Sequence, residues 1–490
     1  MRTVLRSIFR LAFVALVLFI GVLLVNMITF SSKQLKVDAV ILEPVSDQVF
    51  ARLSEAVRIP TVSHNLKVDT LPFRQLDSLL LRSFPKTMAQ LERLPVPGLG
   101  LAFKWPGKNP NLQPILLTGH MDVVPAQSDT TDGWTYLPFS GEQAEGFIWG
   151  RGTLDDKMQI MGLFEAVESL LSDGYYPQRS VYFAFGHDEE IEGKEGAKVI
   201  AQYFADTGVH FDFVLDEGSI ILENALKGLK EPLAMIGIGE KGNATYTISV
   251  AMRSGGHSSM PVDETVIGLL AEAVMTLRAK PFPAKIDGAT KGFFEYVGPE
   301  MGAFQKLLMA NLWCTDGLII NTLEQDAASN AMIRTTIAPT IIKGGIQENV
   351  LPFRAVAKVN LRILPGETVE SARAYMESVL NDPRIQVQVS EERPGNDPSP
   401  LSSTESFGFD VIRKTVQEVF PGVKVAPSLV IAATDGRHYT EVADNVYRFC
   451  PVQLDRTDLK RIHGLDERIS EAGYKQMIGF YKQLMKNSCR

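Results

Sequence analysis

Apolar residues dominate positions 11–30: LAFVALVLFIGVLLVNMITF contains no charged side chain. A bilayer-spanning helix needs about 20 such residues. Arg2, Arg6 and Arg10 precede the run, and basic flanks stay on the cytoplasmic side. The pattern predicts an uncleaved, single-pass signal anchor: a basic flank (1–10), a transmembrane helix (11–30) and a stalk (31–45). All that follows would lie in the periplasm, a lumen or the extracellular space. A cleaved signal, giving a secreted protein, is the alternative. Its apolar region is usually shorter, roughly 7–15 residues, and ends on a small-x-small site, whereas this run exits through NMITFSSKQ.

Beyond residue 45 the pattern becomes periodic. VSDQVFARLSEAVRI has helical apolar spacing up to Pro60. PILLTGHMDVV, SVYFAFG and FDFVLDEG read as strands, with LDDKMQIMGLFEAVESLLSDG and GAKVIAQYFADTG as helices between them. Such alternation predicts an α/β sheet covered by helices on both faces, with functional residues at the carboxyl ends of strands. Near Gly239 the period changes. ATYTISVAM alternates, ETVIGLLAEAVMTLRA is helical, and TTIAPTIIKGG and AVAKVNLRILPG alternate again. An α+β block over 243–367 is therefore expected to interrupt a first domain made of 46–242 and 368–490. On this reading ESARAYMESVLN and IQVQVS, after Thr368, return to the first domain.

Composition narrows the picture. The 490 residues, 45% hydrophobic and 22% charged, exceed what one core serves, so two domains are expected. A net charge of −8 argues against a sequence-independent nucleic-acid binder, which needs a basic face. Cys314, Cys450 and Cys489 are far apart and odd in number, which argues against a disulfide framework or a cysteine-based zinc site.

The stretch FGHDEEIEGKEGA raises a question of its own. Asp188, Glu189 and Glu190 stand in a row directly after a strand-like run, where like charges repel. Other short motifs add acids or histidines: His120 and Asp122 in HMD, Asp155 and Asp156 in GRGTLDDK, Asp216 in LDEG and His463 in RIHGLDE. Singly, each reads as a turn residue, a cap or a surface group. Jointly, a His/Asp/Glu set without cysteine suits a catalytic metal site. The HxD spacing brings Asp122 to the side of His120 and lets it hold the ring nitrogen that is not on the metal. Glu189 and Glu190 are expected on opposite sides of an extended backbone, one for metal and one for substrate.

The ordered set GHMDVVP, GRGTLDDK, GHDEEIEG, VLDEG, SGGHSS, NVLP, TDGRHY and RIHG resembles the dinuclear zinc peptidases of family M20, from about residue 50 to the C-terminus. Within that family it is most similar to the Gly-X carboxypeptidase branch and its secreted vertebrate relatives that act on N-fatty-acyl amino acids. The resemblance implies a catalytic domain with a central mixed sheet and an inserted two-layer lid or dimerisation domain, and two Zn2+ per subunit. Asp155 would bridge the ions, His120 and Asp216 would complete one, and Glu190 and His463 the other. Glu189 would be the general base acting on the bridging water, and Asp156 a structural residue beside a strained or cis peptide that aims Asp155. His257 would hydrogen-bond the oxyanion, in family dimers on the partner subunit. Asn349 and Arg362 would contact substrate from the lid, and Arg437 would grip a free carboxylate; for both arginines an ordinary salt bridge is the competing reading. The implied activity is hydrolysis, or reverse condensation, of an amide bond beside a free carboxylate, in a short peptide or N-acyl amino acid. A zinc aminopeptidase or dipeptidase and a non-catalytic binding protein on a peptidase scaffold are the alternatives. The Phe-, Leu- and Met-rich segment 292–313 is read as lid core, with an acyl channel as the other option. Partners would be the membrane, through the anchor, and a second copy of the chain.

Overall fold

The computed structural model describes residues 2–64, 67–126, 133–253, 256–391 and 394–490. Its centre is a ten-stranded mixed sheet. The inner strands Ala443–Arg448, Phe211–Asp216, Ile115–His120 and Val181–Gly186 run parallel in that order, with Leu101–Trp105 antiparallel beyond them. Leu233–Glu240 and Lys424–Val430 extend the other side. The parallel strands are apolar on both faces because both are covered. Ile115 and Leu117 join one core, with Phe183 and Leu215; Leu116 joins the opposite one, with Tyr182, Ala184 and Val214. The helices Lys157–Ser172 and Glu471–Ser488 pack together on the first side, and Ala197–Asp206 lies on the second. Register sets the site: His120 pairs with Gly186 and Asp216 with Arg448, so the loops that follow open at one edge of the sheet.

A second, four-stranded antiparallel sheet is ordered Thr336–Gly344, Arg354–Ile363, Gly242–Ala251, Ile385–Val389. Arg354–Ile363 alternates along its length, and Gly242–Ala251 over most of its own. Tyr246, Ile248, Val359 and Leu361 pack against the helices Val266–Ala279 and Val369–Leu380. This corrects the expected boundary at 367. The helix and strand read as a return to the first domain belong to the second sheet, where Ile385–Val389 pairs with Gly242–Ala251 and buries Val387 against Met376 and its neighbours. The return falls after residue 389.

The helices Gly288–Val297, Ala303–Met309 and Leu312–Leu323 depart from expectation in the other direction. Phe293, Phe294, Tyr296 and Met301 enter the core of the first sheet, beside Lys424–Val430. The segment 292–313 is neither lid core nor, at any of its residues, part of the wall of the central cavity.

Arg2–Thr29 is one helix, long and apolar enough to cross a membrane. The stalk expected over 31–45 is not a free spacer. Gln34 exchanges hydrogen bonds with the backbone of Val425 at 2.8 and 2.9 Å, and Val40 N–H donates to the Glu418 carbonyl at 2.9 Å. Leu42 packs on the main core.

Candidate active site

His120 ends its strand fully buried. Its Nδ1 faces the Asp122 carbonyl at 3.0 Å and Asp122 Oδ1 at 3.4 Å, which leaves Nε2 pointing to Asp155 Oδ1 at 2.9 Å. The tautomer is thus fixed by Asp122, by its backbone more closely than by its carboxylate. Burial opposes protonation of His120, but Asp122 and Asp155 outweigh it and raise its pKa.

Asp155 presents its other oxygen to His463, with Oδ2 3.1 Å from Nε2. His463 Nε2 also lies 3.1 Å from Glu190 Oε1. Hydrogen bonds that Asp155 and Glu190 accept from the ring raise the His463 pKa to about 10. One carboxylate therefore turns one oxygen to each of two histidines. Burial would raise the Asp155 pKa, but both histidines hold it below the usual range. The Asp155–Asp156 peptide is cis. The side chain of Asp156 accepts the His120 N–H at 3.2 Å, and only the bare Gly119 makes room for it: a Cβ there would sit 2.5 Å from Asp156 Oδ2.

Glu189 and Glu190 do not lie on extended backbone as expected. They open a short 3-10 turn, Glu189–Ile191. Asp122 sets this geometry by accepting the N–H of Glu189 with Oδ1 and that of Glu190 with Oδ2, both at 3.1 Å, while Ser63 Oγ donates to it at 2.5 Å. Asp188 accepts the Glu195 N–H at 2.8 Å and holds the turn from outside. Burial, then Asp435, Glu190 and Asp155, push the Glu189 pKa well up against the pull of His120.

Asp216 ends its strand beside this group. Its Oδ2 accepts the Gly436 N–H at 2.5 Å, while the buried Oδ1 has no hydrogen-bond partner. Among the described residues, His120, Asp155 and Glu190 form the group whose donor atoms could hold a metal ion. His463 touches that group; Asp216 is not part of it. The donors fit a metal: nitrogen and carboxylate oxygen without thiolate, with a buried oxygen of Asp216 left to be satisfied.

A cavity of about 540 Å3 opens on the cluster. Asp155, Glu189, Glu190 and His463 line one side. Facing them, the polar face of the second sheet contributes Asn243, Thr245, Asn360 and Arg362. Arg437 lies between, its Nη2 donating to the Glu192 carbonyl at 2.9 Å. Among the described residues, neither arginine has a carboxylate within ion-pair distance. Burial, then Arg437, lower the Arg362 pKa. Ile220, Val452, Leu454 and Met158 make an apolar end. His257 and Asn349 are not in this wall. They sit together, exposed, on paired short strands and the adjoining turn, with the Ser258 N–H donating to the Asn349 carbonyl at 3.1 Å. The first residues of the SGGHSS motif, 254 and 255, lie outside the described residues.

Sequence reading missed three groups. Glu217 lines the cavity beside Asp216, its pKa pushed well up by burial and by Asp155. Glu467 is buried, pairs with Arg151, and accepts the N–H groups of Gly152, Leu154 and Asp155, holding the loop that carries Asp155. Asn243, Thr245 and Asn360 were legible in principle, as the polar positions of alternating strands.

Carboxylates and histidines at the carboxyl ends of a mixed α/β sheet, under a second sheet that supplies arginine, define the class: a metal-dependent hydrolase. The chain belongs to peptidase family M20/M25/M40, whose pattern it matches over residues 116–487, and it is a metallopeptidase of that family. It is 40% identical to carboxypeptidase S-like 2 of Dictyostelium discoideum over 96% of this chain and 93% of that one. It is 41% identical to the N-fatty-acyl-amino acid synthase/hydrolase PM20D1.1 of Danio rerio, over 88% and 84%. Its fold matches the M20 family metallo-carboxypeptidase Sso-CP2 of Sulfolobus solfataricus with a TM-score of 0.65 at 16% identity, covering 90% of this chain and 99% of that one.

Proposed function

We propose that this enzyme cleaves, and in reverse forms, the amide bond of N-acyl amino acids and short peptides that end in a free carboxylate. The observation that carries this reading is the pair Arg362 and Arg437, which line the same cavity as the acidic cluster and have no carboxylate partner among the described residues. A guanidinium fork suits a substrate carboxylate, and burial strengthens the attraction. An aminopeptidase would want an acidic clamp where Arg437 stands. The apolar end at Ile220, Val452 and Leu454 supports an acyl chain over a polar peptide.

Two Zn2+ would be held by His120, Asp155 and Asp216 and by Asp155, Glu190 and His463. The turn of one Asp155 oxygen toward each histidine supports this division. Bound there, the ions supply Lewis-acid polarisation of the scissile carbonyl and a water of lowered pKa. Glu189 takes the proton of the attacking water on its carboxylate and returns it to the leaving amine. Burial and the neighbouring carboxylates raise its pKa, the direction that makes a carboxylate a better proton acceptor. Asp122 keeps His120 in its tautomer and Glu189 in its turn.

The second sheet acts as lid and, through its exposed side, as dimerisation surface. His257 and Asn349 lie outside their own chain's cavity, which supports their service to a partner's. The helix Arg2–Thr29 anchors the chain, with the body outside the cytoplasm; retention rather than cleavage is supported by its packing on the body.

The test is a panel of N-acyl amino acids of varied chain length beside amino-acid amides. Acyl-amino acids should be cleaved and amides spared, with KM falling as the acyl chain grows. Arg437→Gln should raise KM most for substrates with a free carboxylate, and Glu189→Gln should lower kcat by roughly 10²–10⁴ at unchanged metal content. Preference for amides would sink the reading.

A further inference from the structure

The helices Ala303–Met309 and Leu312–Leu323 lie outside the machinery described above, yet they carry large apolar side chains into solvent. Phe304 is 69% exposed, and Trp313 and Leu318 are each 62% exposed. Singly, such residues need no explanation. Here they adjoin the membrane helix. The Trp313 ring meets Phe19 edge-on at 5.9 Å. Asn311, fully buried, donates to the Leu23 carbonyl at 3.1 Å and accepts from Asn26 Nδ2 at 2.8 Å. Phe30 packs where a Cβ on Gly298 would lie 2.5 Å from it.

These contacts set a height. At about 1.5 Å per residue, Asn26 lies roughly 5 Å and Phe19 roughly 15 Å along the helix from its end at Thr29. The apolar run is about as long as the hydrocarbon core is thick. Any side chain packed between Asn26 and Phe19 therefore lies within the outer leaflet once Arg2–Thr29 spans. Nor can the body swing away on a tether, because Lys33 pairs with Glu295 at 2.8 Å and Gln34 is held by the backbone of Val425. Each of the two helices carries one charge, Lys306 and Asp316, which suits an interfacial position and not a spanning one. The Asn311 bonds satisfy the polar groups that lipid would not.

We infer that these two helices are a membrane-docking surface, embedded in the outer leaflet beside the anchor with Phe304, Trp313 and Leu318 in lipid. This rests on the proposed anchor. It also bears on substrate. Gln305 Nε2 would lie 3.2 Å from a Cβ on Gly228, on the loop after the Ile221–Leu222 strand, which follows the cavity-lining Ile220. An amphipathic N-acyl amino acid would then reach the site from the bilayer surface.

Tryptophan fluorescence tests it on the full chain in phosphatidylcholine vesicles with plain or brominated acyl chains. The other tryptophans, Trp105, Trp134 and Trp149, are buried, so Trp313 is the reporter. Brominated vesicles should quench part of the emission, and Trp313→Phe should abolish that quenched part. Phe304→Glu with Leu318→Glu should reduce quenching and leave cleavage of a short-acyl soluble substrate unchanged. If the chain floats with the vesicles but bromine leaves its emission unchanged, the helices stay in water or are covered by a second copy, and the proposal falls while the anchor stands. If the chain does not float with vesicles, anchor and docking fall together.

Discussion

Asp122 answers the question raised by three acids in a row. Its two oxygens take the N–H groups of Glu189 and Glu190, and it also fixes the ring of His120. The repelling side chains are thus aimed by backbone donors, and Asp188 holds the turn from behind. Nearby, His438 offers a pH test. Burial and then Arg437 lower its pKa to about 4, against an unfolded value near 6.5. Between those values the unfolded chain binds a proton that the folded chain does not. Stability should therefore rise with pH from about 4 to about 6.5, with a contribution of about 2–4 kcal/mol. His438→Gln should lack it, so wild type should lose stability relative to the variant as pH falls through that window in urea unfolding. Parallel curves would assign the dependence elsewhere.

At the scale of elements, alternation along the two central strands makes the second sheet two-faced. One face buries Tyr246 and Leu361 under two helices, and the other turns Thr245, Asn360 and Arg362 to the cavity. The assignment of Val369–Leu380 and Ile385–Val389 to this sheet has a measurable consequence. Met376 is fully buried there, and Met376→Ala should cost about 2–5 kcal/mol. Faster amide exchange should appear in Gly242–Ala251, Arg354–Ile363 and Ile385–Val389 together. Faster exchange in Lys424–Val430 instead would place the helix with the first sheet.

At the scale of the whole molecule, burial raises the pKa values of Glu189, Glu190, Asp216 and Glu217 in the metal-free chain. Groups raised in this way contribute stability below their unfolded pKa and lose it as pH rises through the folded one. Asp122 and Asp155 shift the other way but are already ionised at neutral pH in both states. Chelation should therefore lower Tm more at pH 8 than at pH 5.5, as calorimetry would read. Equal Tm with and without chelator would mean the charges need no metal. Quaternary structure has its own test. If His257 serves a partner's site, His257→Ala and Glu189→Gln chains, each inactive alone, should regain activity when mixed and re-associated. No recovery would place His257 in its own chain's reaction or in none.

The sequence by itself determined the elements and the chemistry. The apolar run of 11–30, the alternating strands and the motifs carrying His120, Asp155, Glu189, Glu190 and His463 are local patterns of period, charge and spacing; the fold brings these five residues together, but with Glu189 and Glu190 on a 3-10 turn and not on extended backbone. It could not fix which sheet a strand joins. Ile385–Val389 pairs with a strand far back in the chain, and nothing in five alternating residues names the partner. It could not show Glu217 or Glu467 as parts of the site, because a carboxylate's role depends on what folds around it: a cavity wall for one, three loop N–H groups and Arg151 for the other. Nor could it show that the greasy segment 292–313 divides its side chains between the main core and the flank of the helix Arg2–Thr29. Burial is a property of packing between distant segments, and only the tertiary structure decides it.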